Sequence, residues 1–403
     1  MSLSPPFRKG FDPRNRAPEQ RGRDVCGRGS ASSGAGHAGV GSSPTPIQAV
    51  PKSFERPFLS VMIPTWRPVP EYLERAIRSV LDQFEPSPRI QVEIVDDCSP
   101  DFDPSAFAAR FDRTAVSFHR HDQHLGLAGN WNACLARARG HWVHLLHQDD
   151  FVLPGFYQAL LRGIDHDPSV AAAFCATYFV NANGAGWAPR LLPLNGPGIL
   201  DDCIQHVFVR LSIQCSAIIV RRDVYETLGG FDAGFSYALD WDMWKRLALR
   251  YPIWYDPQPL ACYRMHSASE TSRQSLAGTH LVEVFRSIEH SAALLPQPVA
   301  ARIRRRARAH YVLFAIESAL DLIRAAGAWG PALHSLSIAR QETSLASVIA
   351  ALAKVMIRGG FRALTGRRET KLTPGSDDID LCLALPNGLR NVSADAPCLR
   401  FTR

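Results

Sequence analysis

Two pairs of adjacent carboxylates in this chain stand where they could bind a cation. Asp96-Asp97 directly follow the strand-like run 90–95, and Asp149-Asp150 follow the mostly apolar run 143–146 after His147 and Gln148. Such runs are typical of buried strands in a parallel sheet, whose carboxyl edge is where ligands bind. Adjacent carboxylates repel one another, and a divalent cation commonly relieves that repulsion. A surface turn explains either pair alone, but two pairs at strand ends favour a ligand site.

Two further side chains are candidates for chemistry. Asp240 lies near the start of a predicted helix, where the helix dipole favours an ionised carboxylate. The sequence leaves open whether this residue is a catalytic base or only a helix N-cap. His266 follows a strand-like run, and a lone histidine is more often a surface or packing residue than a ligand.

Strand-like and helix-like segments alternate through the middle of the chain. The predicted strands are 58–63, 90–95, 115–119, 143–146, 170–175, 216–220 and 260–263. The predicted helices are 73–81, 104–111, 126–139, 154–164 and 221–228, and residues 181–200 are predicted to form a loop. This alternation predicts an α/β fold with a Rossmann-like, mostly parallel sheet flanked by helices. A G-x-G-x-x-G sequence is absent after the first strand, which argues against a dinucleotide cofactor.

The composition divides the 403 residues into four segments. Residues 1–56 are rich in Gly, Pro and Ser and are predicted to be a disordered tail. Residues 57–275 are predicted to be the sheet domain, 276–368 a helical extension and 369–403 an irregular tail. Within the extension, Leu345 to Ile357 is an apolar helix of about 20 Å, too short to cross a hydrocarbon core of about 30 Å. It is expected either to pack on the domain or to lie in an anionic membrane surface.

Charge and cysteine usage limit the partners and the compartment. The net charge of +7 fits anionic ligands or a membrane surface and is too small to indicate nucleic acid. The nine cysteines show no C-x-x-C pair, which is typical of reduced thiols. No signal peptide is apparent. The chain is therefore predicted to be cytoplasmic, with peripheral contact at the inner face of the membrane as an additional expectation.

Eight short stretches in the same order give the chain a resemblance to the inverting glycosyltransferases of family 2, which have a GT-A type fold. The resemblance covers about residues 58–270. The stretches are Ser60-Val61-Met62-Ile63-Pro64-Thr65, Ser79-Val80-Leu81-Asp82-Gln83, Val95-Asp96-Asp97-Cys98-Ser99, Gly126-Leu127-Ala128-Gly129-Asn130-Trp131-Asn132, Gln148-Asp149-Asp150, Gly229-Gly230-Phe231-Asp232, Asp240-Trp241-Asp242 and Tyr263-Arg264-Met265-His266.

The resemblance implies roles for individual residues. Asp149 matches the metal-binding aspartate of the D-x-D motif, Asp240 the general base, and His266 a histidine near the diphosphate or metal. The residues expected to bind the nucleotide sugar are Pro64, Thr65, Arg67, Asp96, Asp97, Asn132, Gln148, Asp149 and His266. The expected ligands of Mn²⁺ or Mg²⁺ are Asp149, His147 and His266. Arg67 is as readily explained as a solvated arginine as by contact with a phosphate.

Two residues depart from the family pattern. His147 stands where the first aspartate of the D-x-D motif usually lies, which puts the affinity for metal in doubt. Leu239 replaces the acidic residue that commonly precedes the base, so a supporting charge is missing. These departures are the only support for an alternative function, a nucleotide-sugar-binding protein without effective catalysis.

The expected function is a metal-dependent inverting glycosyltransferase of the hexosyltransferase type. It would move a sugar from a nucleotide-diphosphate sugar to a saccharide or lipid-linked acceptor in cell-surface polysaccharide synthesis. A divalent cation would neutralise the leaving diphosphate, and a carboxylate would take the proton of the acceptor hydroxyl. A nucleotidyltransferase shares the metal carboxylates, but the sequence lacks a clear basic triphosphate-binding loop after the first strand.

Overall fold

The structure is a computed structural model, and it describes part of the chain. The described residues are 44–53, 55–84, 90–111, 115–182, 184–187, 192, 196–266, 269–326, 328–364 and 399–400. All of them belong to one compact unit, Gly41–Arg403. The predictions for residues 1–43, and for most of 369–403, fall outside these ranges.

Eleven strands form one sheet in the described part of the chain. They are β1 (Leu59–Thr65), β2 (Ile90–Asp96), β3 (Ser117–Arg120), β4 (Trp142–Leu145), β5 (Phe151–Val152), β6 (Ala172–Val180), β7 (Ala185–Trp187), β8 (Gly198–Ile199), β9 (Ile218–Arg221), β10 (Ile253–Arg264) and β11 (Leu399–Arg400). β3, β2, β1 and β4 pair in parallel, and β6 and β10 form a second parallel pair. β9 joins the two groups as an antiparallel strand between β4 and β6. The longer pairings are parallel, so the predicted α/β class with a mostly parallel sheet is confirmed.

The helices lie on the two faces of the sheet and beyond its end. They are α1 (Pro70–Leu81), α2 (Pro104–Ala108), α3 (Gly126–Arg137), α4 (Phe156–His166), α5 (Cys203–Val209), α6 (Arg222–Leu228), α7 (Leu239–Ala248), α8 (Glu270–Ala277), α9 (His280–Ala292), α10 (Gln297–Ala326), α11 (Trp329–Glu342) and α12 (Leu345–Leu364). Alternate residues of β1 enter different hydrophobic clusters, Val61 and Ile63 one and Met62 the other. Both faces of this strand are therefore buried, as its unbroken apolar run predicts.

Several elements differ from the sequence prediction. α5 and the two-residue strand β5 were not predicted, and the predicted loop at 181–200 contains β7 and β8. β10 begins at Ile253, well before the predicted strand at 260–263. Register shifts around Asp256 and Pro259 interrupt the strand and hide its first half in the sequence pattern.

The helical extension shares a hydrophobic core with the sheet domain. Leu281 and Val284 of α9 and Phe314 of α10 belong to the same cluster as Trp241 and Trp244 of α7. The predicted boundary near residue 275 therefore does not separate two cores.

The short apolar helix α12 contributes to that core on one side only. Val348 is buried, whereas Leu345 and Ile349 are exposed. In the described ranges, no helix has the length and apolar character needed to cross a membrane. Contact with a membrane surface stays a prediction.

The segment just before β1 packs on the domain. Ile47 is 6% exposed and enters the main hydrophobic cluster. The Thr45 carbonyl accepts a hydrogen bond from Gly230 N at 2.7 Å, and the Gln48 carbonyl accepts one from Arg222 Nη2 at 3.1 Å. The prediction that the disordered tail reaches residue 56 is wrong for this part. One apolar side chain and a few backbone contacts fix the segment, and its tail-like composition does not reveal them.

We expect Ile47→Ala to lower the free energy of unfolding by about 2–4 kcal/mol, because the change leaves a cavity in the core. The measurement is urea denaturation followed by tryptophan fluorescence. Gln48→Ala is the matched control, since that side chain is exposed and only its backbone carbonyl bonds to Arg222. Equal stability of the two variants would show that the segment is not anchored through Ile47.

Candidate active site

Three groups able to bind a metal follow directly after β4. One ligand atom from each of His147, Asp149 and Asp150 lies within 4.8 Å of the others. β4 lies in the middle of the sheet, so its carboxyl end opens at the edge where ligands bind. The structure thus brings together the second carboxylate pair and the histidine that departs from the family pattern.

Asp150 is held by the protein rather than left free for a ligand. Its Oδ2 accepts a hydrogen bond from Ser216 Oγ at 2.5 Å, and its Oδ1 accepts one from Arg264 N at 2.8 Å. Burial, followed by the negative charge of Asp149, raises the pKa of this carboxyl well above its usual range. We assign Asp150 a role in fixing the turn that carries Asp149.

Asp149 keeps a carboxylate that a ligand can reach. Its side chain is 21% exposed, and its Oδ2 lies 2.9 Å from Nε2 of His266. Burial raises the pKa of Asp149, but the hydrogen bond and charge of His266 outweigh it, and the pKa is lowered overall. Asp149 and His266 are thus neighbours, as expected for two residues of one metal or diphosphate site.

His147 is a neutral imidazole with a spare nitrogen. Its ring lies against the Trp131 ring at a centroid distance of 4.7 Å, and burial lowers its pKa despite the nearby Asp149. Its Nε2 is buried and has no hydrogen-bond partner among the described residues. Nδ1 lies 3.6 Å from Asp150 Oδ2. A neutral histidine of this kind is a competent metal ligand.

A buried chain of hydrogen bonds supports Asp150 from the sheet side. His144 on β4 is fully buried, its Nε2 donates to the Ser216 carbonyl at 3.0 Å, and its Nδ1 accepts from the Tyr157 hydroxyl at 2.9 Å. Burial lowers the pKa of His144 to about 4, so the ring is neutral. Ser216 Oγ then reaches Asp150. Sequence reasoning missed His144 and Ser216, because neither stands in a catalytic pattern.

Arg264 supports Asp149 from the other side. Its Nε donates to the Asp149 carbonyl at 2.9 Å, and its Nη1 donates to the carbonyls of Asn181 and Ala182 at 3.2 and 3.1 Å. Its guanidinium carbon lies 4.1 Å from the centroid of the Tyr72 ring. Arg264 thereby joins β10, the turn after β4 and the segment after β6. Arg264 is part of the stretch Tyr263-Arg264-Met265-His266, but the sequence did not predict that its side chain joins these three segments.

The first carboxylate pair, Asp96-Asp97, forms hydrogen bonds within the fold. Asp96 is fully buried at the end of β2, and its oxygens accept hydrogen bonds from Thr65 Oγ1, Ser99 Oγ and Ser99 N at 3.0, 2.7 and 3.0 Å. These contacts join the ends of β1 and β2. Asp96 and the Thr65 hydroxyl are thus bonded to each other, and the expectation that Asp96 and Thr65 bind the nucleotide sugar stays a prediction.

Asp97 caps the start of α3. Its Oδ1 accepts from Leu125 N at 2.7 Å, and its Oδ2 accepts from Gly126 N at 2.9 Å and lies 2.8 Å from Nδ1 of His124. The N-cap residue of α3, Leu125, has no capping side chain, so the carboxylate comes from β2 instead. Asp97 is 2% exposed, which leaves its carboxylate little surface for a nucleoside.

The exposed surface beside these residues is a small aromatic platform, formed by Trp66 and His124. Their ring centroids are 4.1 Å apart. Gln148 fixes the backbone of Trp66, since its Oε1 accepts from Trp66 N at 2.8 Å and its Nε2 donates to the Trp66 carbonyl at 3.1 Å. Arg67 is exposed, with its guanidinium carbon 5.2 Å from the centroid of the Trp66 ring. Pro64 is buried within β1.

Asn132, which is expected in the nucleotide-sugar site, bonds to two other segments of the chain. Its Nδ2 donates to Thr45 Oγ1 and the Phe231 carbonyl at 3.0 and 2.9 Å, and its Oδ1 accepts from Phe231 N at 2.8 Å. Both amide hydrogens are used in these contacts. These contacts pack α3 against Phe231, and the binding of nucleotide sugar by Asn132 stays a prediction.

Asp240 lies in the first turn of α7 and is partly exposed. The N-cap is Ala238, so the alternative that Asp240 is merely the N-cap is excluded. Its Oδ1 accepts from Trp241 N at 2.6 Å. Burial raises its pKa to about 7, although hydrogen bonds and the charge of Lys245 act in the opposite direction. Burial, and then the charges of Asp240 and Asp150, raise the pKa of the Cys215 thiol.

We expect Asp240→Asn to be more stable than the wild type at pH 8, by up to about 2 kcal/mol after allowance for partial solvation. The pKa of Asp240 is higher in the folded chain than its ordinary 3.8. The stability that its protonated form contributes is therefore full below pH 3.8 and is lost as the pH rises through about 7. Asparagine resembles the protonated form at every pH.

The measurement is urea denaturation at pH 5 and pH 8, with Asp101→Asn as the control at an exposed carboxylate. The stabilising effect of Asp240→Asn should be smaller at pH 5. An effect of the same size at both pH values would contradict the raised pKa.

Comparison with known proteins assigns the chain to a family. The profile described as Glycosyl transferase family 2 matches residues 60–229. The uncharacterized protein MT1568 of Mycobacterium tuberculosis is 33% identical over 230 residues, which are 54% of this chain and 70% of that protein. The succinoglycan biosynthesis protein ExoO of Rhizobium meliloti is 36% identical over 91 residues, 23% of this chain and 25% of that protein.

A solved structure supports the same assignment at the level of the fold. Residues 1–349 of TarS from S. aureus superpose with a TM-score of 0.53 at 16% identity, covering 74% of this chain and 91% of that one. The same fragment in complex with UDP-GlcNAc gives a TM-score of 0.55 at 15% identity. The chain belongs to glycosyltransferase family 2 and has a GT-A type fold.

Proposed function

We propose that this chain is a metal-dependent, inverting glycosyltransferase of the hexosyltransferase type. It moves a sugar from a nucleotide-diphosphate sugar to a hydroxyl of a saccharide or lipid-linked acceptor. The observation that carries the proposal is the group of possible metal ligands His147, Asp149 and Asp150 at the carboxyl end of β4. Asp240, with a pKa of about 7 in the first turn of α7, is a second carboxylate suited to chemistry. Partial similarity to ExoO supports a role in polysaccharide synthesis.

The metal site consists of Asp149 with His147, and His266 completes it. The donor set fits a divalent cation, because it offers one reachable carboxylate and a neutral imidazole whose Nε2 lacks a partner among the described residues. When bound there, Mn²⁺ or Mg²⁺ neutralises charge on the leaving diphosphate. Asp150, Ser216 and Arg264 hold the turn in the shape that the ligands require.

The nucleoside lies on the aromatic platform of Trp66 and His124. Flat aromatic rings stack on any nucleobase. The Trp66 ring is partly exposed and the His124 ring is exposed, beside the possible metal ligands. Arg67 projects from the same loop and supplies a positive charge for the phosphates. In this arrangement Asp97 orients His124 through their 2.8 Å contact and need not touch the base itself.

Asp240 acts as the general base. It accepts the proton of the acceptor hydroxyl while the hydroxyl oxygen attacks the anomeric carbon from the face opposite the leaving diphosphate. A single displacement of this kind inverts the anomeric centre and needs no covalent intermediate. A base with a pKa of about 7 is well matched to proton transfer near neutral pH.

The first test of the metal site is calorimetric titration of the wild type with UDP, GDP and dTDP, with and without Mn²⁺. UDP is the first probe because TarS, a protein of the same fold, has been solved with UDP-GlcNAc. We expect one nucleotide to bind at least tenfold more tightly with Mn²⁺, and Asp149→Asn to abolish that difference. Asp101→Asn should behave as the wild type. Binding that ignores both the metal and Asp149 would rule out this site.

The second test measures transfer with the matching sugar nucleotide. Asp240→Asn should lower kcat by roughly 10²–10⁴-fold with unchanged nucleotide binding, because it removes only the base. The anomeric configuration of the product, determined by NMR, must be opposite to that of the donor. A wild type that binds the donor but never transfers to a broad acceptor panel would favour the alternative function, a binding protein. A product that carries the nucleotide would identify a nucleotidyltransferase.

A further inference from the structure

The helix that carries Asp240 has no cap of its own. Its N-cap residue is Ala238, whose methyl side chain accepts no hydrogen bond. The first N–H groups of a helix and those just before it need acceptors from elsewhere. Here the acceptor comes from the helical extension, because Glu283 of α9 approaches the segment Ser236 to Ala238.

The contact between Glu283 and this segment is extensive. Its Oε1 accepts hydrogen bonds from Ser236 N at 3.0 Å and from Ser236 Oγ at 2.5 Å. Its Oε2 accepts from Tyr237 N at 2.7 Å and from Ala238 N at 3.3 Å. Burial raises the pKa of Glu283, but the hydrogen bonds from Ser236 and the backbone of 236–238 outweigh it, and the pKa is lowered overall. The Glu283 carboxylate is therefore ionised at neutral pH, and its hydrogen bonds to this segment are strengthened by its charge.

A second contact ties α9 to the body of α7. Ser287, four residues after Glu283 and on the same side of α9, accepts hydrogen bonds from Lys245 Nζ at its Oγ (2.8 Å) and its carbonyl (3.2 Å). Lys245 is fully buried, and its Nζ lies 3.2 Å from the centroid of the Trp241 ring. Asp240 therefore lies between two attachment points, one before it at Glu283 and one after it at Ser287.

We propose that Glu283 is a positioning residue for the transfer reaction: it fixes the start of α7 so that the Asp240 carboxylate faces the acceptor hydroxyl. This inference rests on the proposed role of Asp240 as base. It gives the helical extension a part in catalysis without contact between the extension and the reacting atoms. The sheet domain alone would hold the metal ligands but leave the base on an uncapped helix end.

The test compares Glu283→Gln with the matched control Glu289→Gln in the full-length chain. Glu289 is on the same helix and pairs with Arg304 of α10, but it makes no contact with the segment 236–238. Hydrogen–deuterium exchange followed by mass spectrometry reports on the anchor without any ligand. In Glu283→Gln, peptides containing residues 236–242 should exchange roughly tenfold faster or more, the change expected from loss of charge-assisted hydrogen bonds. Exchange unchanged from the control would overturn the proposal.

Kinetics separate positioning from a purely structural role. Glu283→Gln should lower kcat by roughly tenfold to a hundredfold, as expected for a misplaced base, while KM for the donor and binding of UDP stay unchanged. Glu283→Asp, which keeps the charge, should recover part of kcat. Faster exchange with wild-type kcat would reduce Glu283 to a structural contact and overturn the proposal.

The same experiment distinguishes failure of the proposed function. If Asp240→Asn transfers sugar as fast as the wild type, Asp240 is not the base, whatever Glu283→Gln does. If the wild type transfers no sugar, Asp240 has no role as a base, and both proposals are overturned. Loss of kcat in Asp240→Asn together with wild-type kcat in Glu283→Gln overturns only the inference about Glu283.

Discussion

A buried carboxylate needs hydrogen-bond donors, and this requirement decides which acidic residues at the carboxyl edge of the sheet remain available. Asp96 is satisfied by Thr65 and Ser99, and Asp150 by Ser216 and Arg264. Among these described acidic residues, Asp149 keeps a reachable carboxylate, and its side-chain hydrogen-bond partner is His266. The satisfied carboxylates are not spare ligands. They fix the strand ends and turns around the one that is free.

The same requirement connects distant parts of the chain. α3 and α7 begin with Leu125 and Ala238 as N-cap residues, and neither has a capping side chain. Asp97, the residue after β2, bonds to the start of α3, and Glu283 of α9 bonds to the segment that leads into α7. Each cap therefore crosses between elements that are separate in sequence. The position of His124 depends on one cap, and that of Asp240 depends on the other.

The sequence predicted the central strands well because β1, β4 and β6 are mostly apolar, and such runs can be recognised without knowledge of the neighbouring elements. It also placed Asp149 and His266 in one site, which the 2.9 Å contact is consistent with. It failed where the role of a residue depends on its partner. Asp96 and Asp149 are the same residue type and both lie near the carboxyl end of a strand, and only the hydrogen bonds around them show which carboxylate is occupied by protein donors.

The sequence also could not predict contacts between residues that are far apart in the chain. Nothing near Glu283 resembles a catalytic motif, and Ala238 gives no sign that its N–H is bonded to a residue 45 positions later. Ile47 stands in a stretch with tail-like composition, and its burial depends on contacts with α3 and α6. A pattern of residue types predicts the helix or strand that contains it. The contacts described here join elements that are far apart in the sequence, so no such pattern predicts them.

The replacement of an aspartate by His147 changes how the metal site should work. Burial against Trp131 keeps the imidazole neutral, so it ligates without adding negative charge. Asp149 is then the only reachable carboxylate in the ligand group. A site with so little negative charge attracts a divalent cation weakly, because hard cations prefer charged oxygen ligands. In the proposed reaction the diphosphate of the donor would supply further oxygen ligands, so we expect metal and nucleotide to bind together, each raising the affinity for the other.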